Sequence, residues 1–185
     1  MARPLIILSH PRSGSYYLGR SLAAAEGVRW DCELLHWDRI RKAPLRMIDL
    51  WIESVRAWRS DRIVAAKAFC WSAELVEHAR SQEGVSMMSL WRRDGEAATV
   101  STARAWASNQ WVFPWKRPKG EPPDELVERC RHYLTFPQDP VDFKMVSEDL
   151  WSDPRAELDR LGEWLGIRIP PVRAYSFSSR SARGS

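Results

Sequence analysis

Four short apolar runs recur along the chain and alternate with segments of helical character. The runs are "PLIILS" (4–9), "RIVAAKAF" (62–69), "VSMMSLW" (85–91) and "VDFKMVS" (141–147). The first three lack a strict alternation of apolar and polar residues, which is typical of strands covered on both faces in a parallel sheet. Because these strands alternate with helices, the pattern predicts an α/β protein.

The intervening segments place apolar residues at helical spacing. Ser72, Asp94 and Asp153 are residue types that cap helix starts, Gly166 suits a helix end, and Pro44 should break or kink its helix. The predicted helices lie in "GSYYLGRSLAAAEG" (14–27), "WDRIRKAPLRMIDLWIESVRAW" (37–58), "SAELVEHARSQ" (72–82), "DGEAATVSTARAWASNQW" (94–111) and "DPRAELDRLGEWLG" (153–166).

The segment "VFPWKRPKGEPPDE" (112–125) is rich in proline and charge, which predicts a loop. Two interpretations stay open for it: a loop over a site, or a plain connector. The 185 residues with 44% apolar composition indicate one domain over 1–185. Residues from about 168 onward look like a mobile C-terminal tail.

Charge and cysteine content narrow the function classes. The net charge of +4 suits an anionic ligand, but the basic residues are dispersed, so nucleic acid is a minor hypothesis. Three cysteines without a C-x-x-C spacing argue against a zinc site and a disulfide framework. With no visible signal peptide or membrane span, we expect a soluble, cytoplasmic protein, and a homodimer is one possibility left open.

The turn "HPRSGS" (10–15), hereafter the phosphate turn, connects the first predicted strand to the first predicted helix. A helix start after a strand favours an anion, because its first N–H groups have no partner within the helix and the positive end of the dipole lies there. Ser13, Gly14 and Ser15 offer N–H groups and hydroxyls, and Arg12 offers a cation. The lysine of the nucleotide-triphosphatase motif is missing. A simple proline and glycine turn with a surface arginine is the alternative.

Two further segments carry candidate chemistry. In "LWRRDGEAATVS" (90–101), Arg92 and Arg93 should lie at a strand's C-terminal end, where open α/β sheets bind ligands, with Ser101 two turns into the next helix. An ordinary basic strand end is the competing interpretation.

In "WDCELLHW" (30–37), Glu33 and His36 follow the first helix and could accept a proton from a hydroxyl over the phosphate turn, although such a glutamate is more often a solvated surface group.

Together these pieces resemble the PAPS-dependent sulfotransferase superfamily, where PAPS is 3′-phosphoadenosine 5′-phosphosulfate. "SHPRSGSYYL" is similar to the family's 5′-phosphosulfate loop, "RRDGEAATVS" to its 3′-phosphate motif, and "EDLWSDPRAELDRLGEWLGI" to its E-D-L ending. "PRSGS", "ELLH" and the "RRD…VSTARAWASNQW" string look most like the bacterial carbohydrate branch, which includes trehalose and nodulation-factor sulfotransferases.

The resemblance implies a P-loop-NTPase-like three-layer fold and a set of roles. Arg12 would contact the 5′-phosphosulfate, with loop contacts from Ser13, Gly14, Ser15 and Tyr16. Arg93 and Ser101 would hold the 3′-phosphate. Glu33 falls where the branch places its proposed general base, with His36 as second choice. The list of implied site residues is therefore Arg12, Ser13, Gly14, Ser15, Tyr16, Glu33, His36, Arg93 and Ser101.

The expected reaction is in-line transfer of a sulfuryl group to a hydroxyl of a carbohydrate or other small metabolite. We expect it to need no metal, since the turn lacks the lysine and the four strands lack a terminal aspartate of the phosphoryl-transfer type. Two alternatives remain: a nucleotide kinase or NTPase with a degenerate phosphate loop, and a sulfotransferase-like binding protein without turnover.

Overall fold

The computed structural model describes residues 1–9, 13–35, 44–60, 62–68, 73–108, 120–133 and 141–172. These residues form five strands and seven helices. The strands are β1 (Arg3–Ser9), β2 (Val28–Leu35), β3 (Ile63–Ala68), β4 (Ser86–Trp91) and β5 (Phe143–Val146). The helices are α1 (Ser15–Ala23), α2 (Pro44–Arg56), α3 (Ala73–Ser81), α4 (Gly95–Ser108), α5 (Asp124–Tyr133), α6 (Ser147–Ser152) and α7 (Pro154–Leu165).

The five strands make one sheet in the order β2-β3-β1-β4-β5, and all four strand pairs are parallel. The α/β class and the parallel sheet flanked by helices are therefore confirmed. β1 occupies the centre, and its residues Leu5 to Leu8 are at most 1% exposed. Burying each such side chain contributes about 1.5–3 kcal/mol, which explains why the run is apolar without alternation.

Successive residues of β1 supply the two cores on opposite faces of the sheet, as the pleat requires. Leu5 and Ile7 pack with α1 and α7, while Ile6 and Leu8 pack with α2 and α3. The same alternation continues in β3, where Ala65 belongs to the first core and Ala66 to the second. The result is a three-layer arrangement with helices on both faces of the sheet.

The strand β2 was not among the four predicted runs. Its described side chains alternate: Val28 and Trp30 pack against the core, whereas Arg29 is exposed and bonds Asp31 at 2.9 Å. An edge strand keeps polar residues on its solvent side, so it produces no continuous apolar run. The criterion of apolar runs misses such a strand.

Helix boundaries follow local signals. Asp153 Oδ1 accepts from the Ala156 N–H at 3.0 Å, Pro154 occupies the first helical position, and Gly166 adopts φ 71° after the end of α7. The Asp94 carboxylate likewise accepts from the Ala97 N–H at the start of α4. Helix α2 begins at Pro44, and the first part of the helix predicted over 37–58, residues 37–43, lies outside the described residues. Ser72 lies outside the described residues.

Candidate functional site

The sheet order places a topological switch point at the carboxyl ends of β1 and β4, a position that we call the crevice. The chain leaves β1 toward β2 on one side of the sheet, and it leaves β4 toward β5 on the other. Such a reversal between neighbouring strands is where open α/β sheets bind ligands. Ser9 is in register with Leu90, and Trp91 with Val146, so the segments that follow β1, β4 and β5 emerge side by side.

The described part of the phosphate turn has the geometry of an anion-binding helix start. Ser13 is fully buried, and Gly14 precedes α1 in the left-handed conformation, with φ 83°. A glycine there provides no side chain to cap the helix, and the first turn of α1 contains no acidic residue. Ser15 is buried and Tyr16 is half exposed. Arg12 lies outside the described residues.

The segment Arg92–Asp94, which we call the β4 end, carries two cations. Arg93 Nη2 donates to both oxygens of Asp149, at 2.9 and 3.1 Å, and Arg92 Nε lies 3.7 Å from Glu148 Oε1. The Arg93 side chain is 63% exposed, so its guanidinium stays accessible to solvent beside Asp149. Ser101 is half-buried and lies two turns into α4, the helix that follows the β4 end.

Helix α6 makes hydrogen bonds to both the phosphate turn and the β4 end. The buried Ser147 hydroxyl donates a hydrogen bond to the Ser13 carbonyl. Glu148 accepts from the backbone N–H of Arg93 at 3.0 Å and from that of Asp94 at 3.5 Å. Ser147 of α6 therefore contacts the phosphate turn, and its neighbour Glu148 contacts the β4 end.

An aromatic side chain of α6 covers the phosphate turn from the same side. A Cβ added at Gly14 would lie 3.2 Å from the indole of Trp151, whose ring centroid is 5.2 Å from that of Tyr17. Gly14 is therefore favoured by its positive φ, and a side chain at this position would also press on the indole. Sequence reasoning gave α6 no role in the site; the signal that could have found it is the acidic pair directly after the last strand of the sheet.

The charge state of Glu148 follows from its neighbours. Partial burial disfavours the carboxylate, but hydrogen bonds from backbone N–H groups, with Arg93 first, and the Arg92 guanidinium more than offset it and hold the pKa of Glu148 below its ordinary value. Glu148 is therefore ionised at neutral pH, when it accepts from the β4 end.

A buried lysine lies at the carboxyl end of β3. Lys67 is 8% exposed and is in register with Ile7 of β1 on one side and with Glu33 of β2 on the other. By alternation with Ala65 and Ile63, Lys67 belongs to the face covered by α1, the helix that the phosphate turn begins. Sequence reasoning missed it, although a lysine inside an apolar strand is the signal of a special environment.

The backbone of Glu33 belongs to β2, so β3 separates this residue from β1. Its position beside Lys67 puts an acidic and a basic residue next to each other in the backbone register of the carboxyl half of the sheet. His36, the second candidate base, lies outside the described residues. Of the predicted residues, the structure brings Ser13, Gly14 and Arg93 together through their contacts with α6.

Within the residues that the structure describes, no group of three or more His, Cys, Asp or Glu side chains is arranged to hold a metal ion. None of the helices in the described part of the chain has the length and apolar character that crossing a membrane requires.

No family model and no curated protein matches the chain. Solved structures do match its fold. A sulfotransferase domain from the Synechococcus PCC 7002 olefin synthase superposes with a TM-score of 0.59 at 18% identity, covering 91% of this chain and 75% of that one. Mouse sulfotransferase SULT7A1, complexed with PAP, gives 0.56 at 12% identity and covers 91% and 60%.

A sugar kinase from Janibacter sp. HTCC2649 is similar to the same degree, with a TM-score of 0.57 at 12% identity, covering 90% of this chain and 96% of that chain. Identities this low are evidence of shared architecture and not of shared chemistry. The chain has the P-loop-like α/β fold that these sulfotransferases and this sugar kinase share.

Proposed function

We propose that this protein is a sulfotransferase that moves the sulfuryl group of PAPS to a hydroxyl of a carbohydrate or other small metabolite. The observation that supports the proposal is that α6 holds two segments next to each other at the carboxyl ends of β1 and β4: the phosphate turn at the start of α1, and the β4 end with Arg93. Both segments offer groups that suit an anion. PAPS is a nucleotide with anionic groups at its 5′ and 3′ positions, and it supplies the sulfuryl group. A site with two separate anion-binding segments suits such a ligand.

Different residues bind the 5′-phosphosulfate and the 3′-phosphate. Arg12 and the N–H groups at the start of α1 bind the 5′-phosphosulfate and stabilise negative charge that develops on the 5′-phosphate. Ser13, Ser15 and Tyr16 add polar contacts, and Arg93 with Ser101 binds the 3′-phosphate. Lys67 is buried on the sheet face covered by α1, and we assign it as a further cation for the transferred group.

Glu33 acts as the general base. It accepts the proton of the acceptor hydroxyl while that oxygen attacks sulfur, and His36 is the second candidate for this step. The bond from sulfur to the bridging oxygen breaks, and its electron pair stays on the 5′-phosphate, whose charge Arg12 and the start of α1 stabilise. The chain uses no metal in this scheme.

Thermal unfolding with added nucleotide tests the donor. A ligand that binds only the native state at 100 times its dissociation constant stabilises the protein by about 2.7 kcal/mol. Adenosine 3′,5′-bisphosphate should raise the melting temperature in the presence of EDTA. Incubation with radiolabelled PAPS and fractionated metabolites then identifies the acceptor by the compound that becomes labelled.

A kinase is the second candidate, because the sugar kinase matches the fold as well as the sulfotransferases do. Stabilisation by ATP with magnesium, and none by the bisphosphate, would decide for the kinase. Stabilisation by the bisphosphate without transfer of label to any fraction would instead indicate a binding protein that has lost turnover.

A further inference from the structure

We propose that Ser147 and Glu148 of α6 are positioning residues that fix the spacing between the phosphate turn and the β4 end. Because this spacing is fixed, the protein should bind a nucleotide with phosphates at both its 5′ and 3′ positions more tightly than a nucleotide with only one. This inference rests on the proposed function, since it assumes that the two segments bind the two ends of one nucleotide. Neither residue needs to touch the ligand.

The first support is the set of atoms that α6 holds. Glu148 binds two consecutive backbone N–H groups of the β4 end, at 3.0 and 3.5 Å, and Ser147 binds the backbone carbonyl of Ser13. Hydrogen bonds to main-chain atoms fix the path of the chain, whereas a bond to a long side chain would fix only that side chain. The two segments are therefore positioned relative to each other by adjacent residues of one helix.

The second support is that α6 is itself held firmly. Ser147 is 2% exposed, and Leu150 is completely buried in the core that includes α1 and α7. Helix α7 follows after a single residue, Asp153, which caps it. A helix held by the core and by a covalently adjacent helix does not adjust its position independently, so it can serve as a fixed spacer.

The third support is that Glu148 and Asp149 bind different parts of Arg93. Asp149 binds the Arg93 guanidinium through Nη2 alone, while Glu148 binds the Arg93 backbone. One residue therefore sets where the β4 end lies, and its neighbour restricts where the guanidinium points. Both restrictions reduce the conformational freedom that binding a 3′-phosphate would otherwise remove.

Fixed spacing has a measurable effect on a ligand with two charged ends. When one end is bound, the other is presented to its partner at a high effective concentration, but only if the distance between the two segments matches the ligand. The ratio of the dissociation constant of 5′-AMP to that of adenosine 3′,5′-bisphosphate measures this gain from the second phosphate. A positioning role predicts that loss of Ser147 or Glu148 contacts lowers the ratio.

The experiment measures both dissociation constants by calorimetry on the full chain, for the unaltered protein and for Glu148→Gln and Ser147→Ala. In Glu148 a different carboxylate oxygen accepts from each of the two backbone N–H groups, and Gln replaces one of these oxygens by an NH2 donor. The ratio should therefore fall about tenfold in Glu148→Gln. The affinity for 5′-AMP should change less than about threefold in that variant. Retained affinity for 5′-AMP shows that the Glu148→Gln protein is folded. Ser147→Ala should lower the ratio as well, and it decides the question if Glu148→Gln does not fold.

Glu157→Gln is the matched control. It removes a carboxylate that pairs with Arg160 at 2.7 Å on α7, with the same chemical change and no contact to the phosphate turn or the β4 end. Its ratio should equal that of the unaltered protein. Unchanged ratios in both α6 variants, or equal losses for the two nucleotides, would overturn the positioning role. Failure of the unaltered protein to bind either nucleotide would overturn the proposed function, and this inference with it.

Discussion

Arg93 and Asp149 are 56 residues apart in sequence and are joined by two hydrogen bonds from Arg93 Nη2, at 2.9 and 3.1 Å. Their side chains are 63% and 46% exposed, and an ion pair that exposed contributes at most about 1 kcal/mol to stability. The pair therefore matters less for holding the fold than for where it leaves the guanidinium, beside the crevice between β1 and β4.

Arg93→Ala should weaken binding of adenosine 3′,5′-bisphosphate about tenfold or more, because a charge-assisted contact to the 3′-phosphate is lost. Binding of 5′-AMP should be little affected, since that nucleotide has no 3′-phosphate. Calorimetry with both ligands checks this. Arg155→Ala, which removes an exposed arginine paired with Asp159 on α7, is the control. Equal losses for both nucleotides would contradict the assignment of Arg93.

Glu33→Gln should lower the rate of sulfuryl transfer by about 10²–10⁴, the usual contribution of a general base, with nucleotide affinity unchanged. The substitution keeps the size of the side chain and removes its ability to accept a proton. The measurement is single-turnover transfer of label from PAPS to the identified acceptor. A variant that transfers at the normal rate would remove Glu33 from the mechanism and favour His36.

Gly14→Ala should destabilise the protein more than Gly27→Ala. Both positions have positive φ, 83° and 76°, which costs a residue with a Cβ about 1–2 kcal/mol. At Gly14 the new Cβ would also lie 3.2 Å from Trp151, whereas at Gly27 it meets nothing within 4 Å. The difference between the two free energies of unfolding, from urea titrations, isolates the contact with Trp151. Equal values would mean that the indole moves away at no cost.

Gly162→Ala should be among the most destabilising single-methyl additions in this chain. The new Cβ would lie 2.5 Å from the Ile167 carbonyl oxygen, and neither the α7 backbone nor that carbonyl can move without disturbing the buried Ile169. Overpacking of this kind costs about 1–3 kcal/mol. Gly95→Ala, in open space at the start of α4, should instead be neutral or stabilising by about 0.4–1 kcal/mol. Denaturant unfolding of both variants tests the contrast.

Acid should weaken the contribution of Glu148 to stability. Its pKa is lowered in the folded protein, so its contribution is complete above the ordinary value of 4.5 and is lost as the pH falls below that value, through the lowered one. The free energy of unfolding of the unaltered protein minus that of Glu148→Gln should therefore be largest near neutral pH and shrink in acid. A difference independent of pH would show that the charge of Glu148 is not what binds the β4 end.

A structural feature can be predicted from this sequence when the residues that determine it are close together along the chain. The capping of α7 by Asp153 and its end at Gly166 depend on neighbours within a turn, so residue types alone could indicate them. The buried strand β1 was visible because both of its faces are apolar. The edge strand β2 was not, because residues such as Arg29 and Asp31 interrupt its apolar positions.

The site shows the same limit. The residue types of Gly14 and Arg93 suggested an anion, because a glycine turn before a helix and an arginine after a strand are local features. The hydrogen bond from Ser147 to Ser13 spans 134 residues, and the contact between Trp151 and Gly14 spans slightly more. The acidic pair after the last strand could have drawn attention to α6, but its partners in the phosphate turn and the β4 end became assignable only once the sheet order was known.

The central place of β1 has a consequence for how the molecule opens. Amide hydrogens exchange with solvent water last in elements that are fully enclosed and hydrogen-bonded on both edges, and first in peripheral ones. The strand that leads into the phosphate turn is enclosed in this way, with β3 and β4 as its partners. Local fraying of the outer strands β2 and β5 can therefore occur while β1 stays protected, and exchange throughout β1 should require unfolding of the whole sheet.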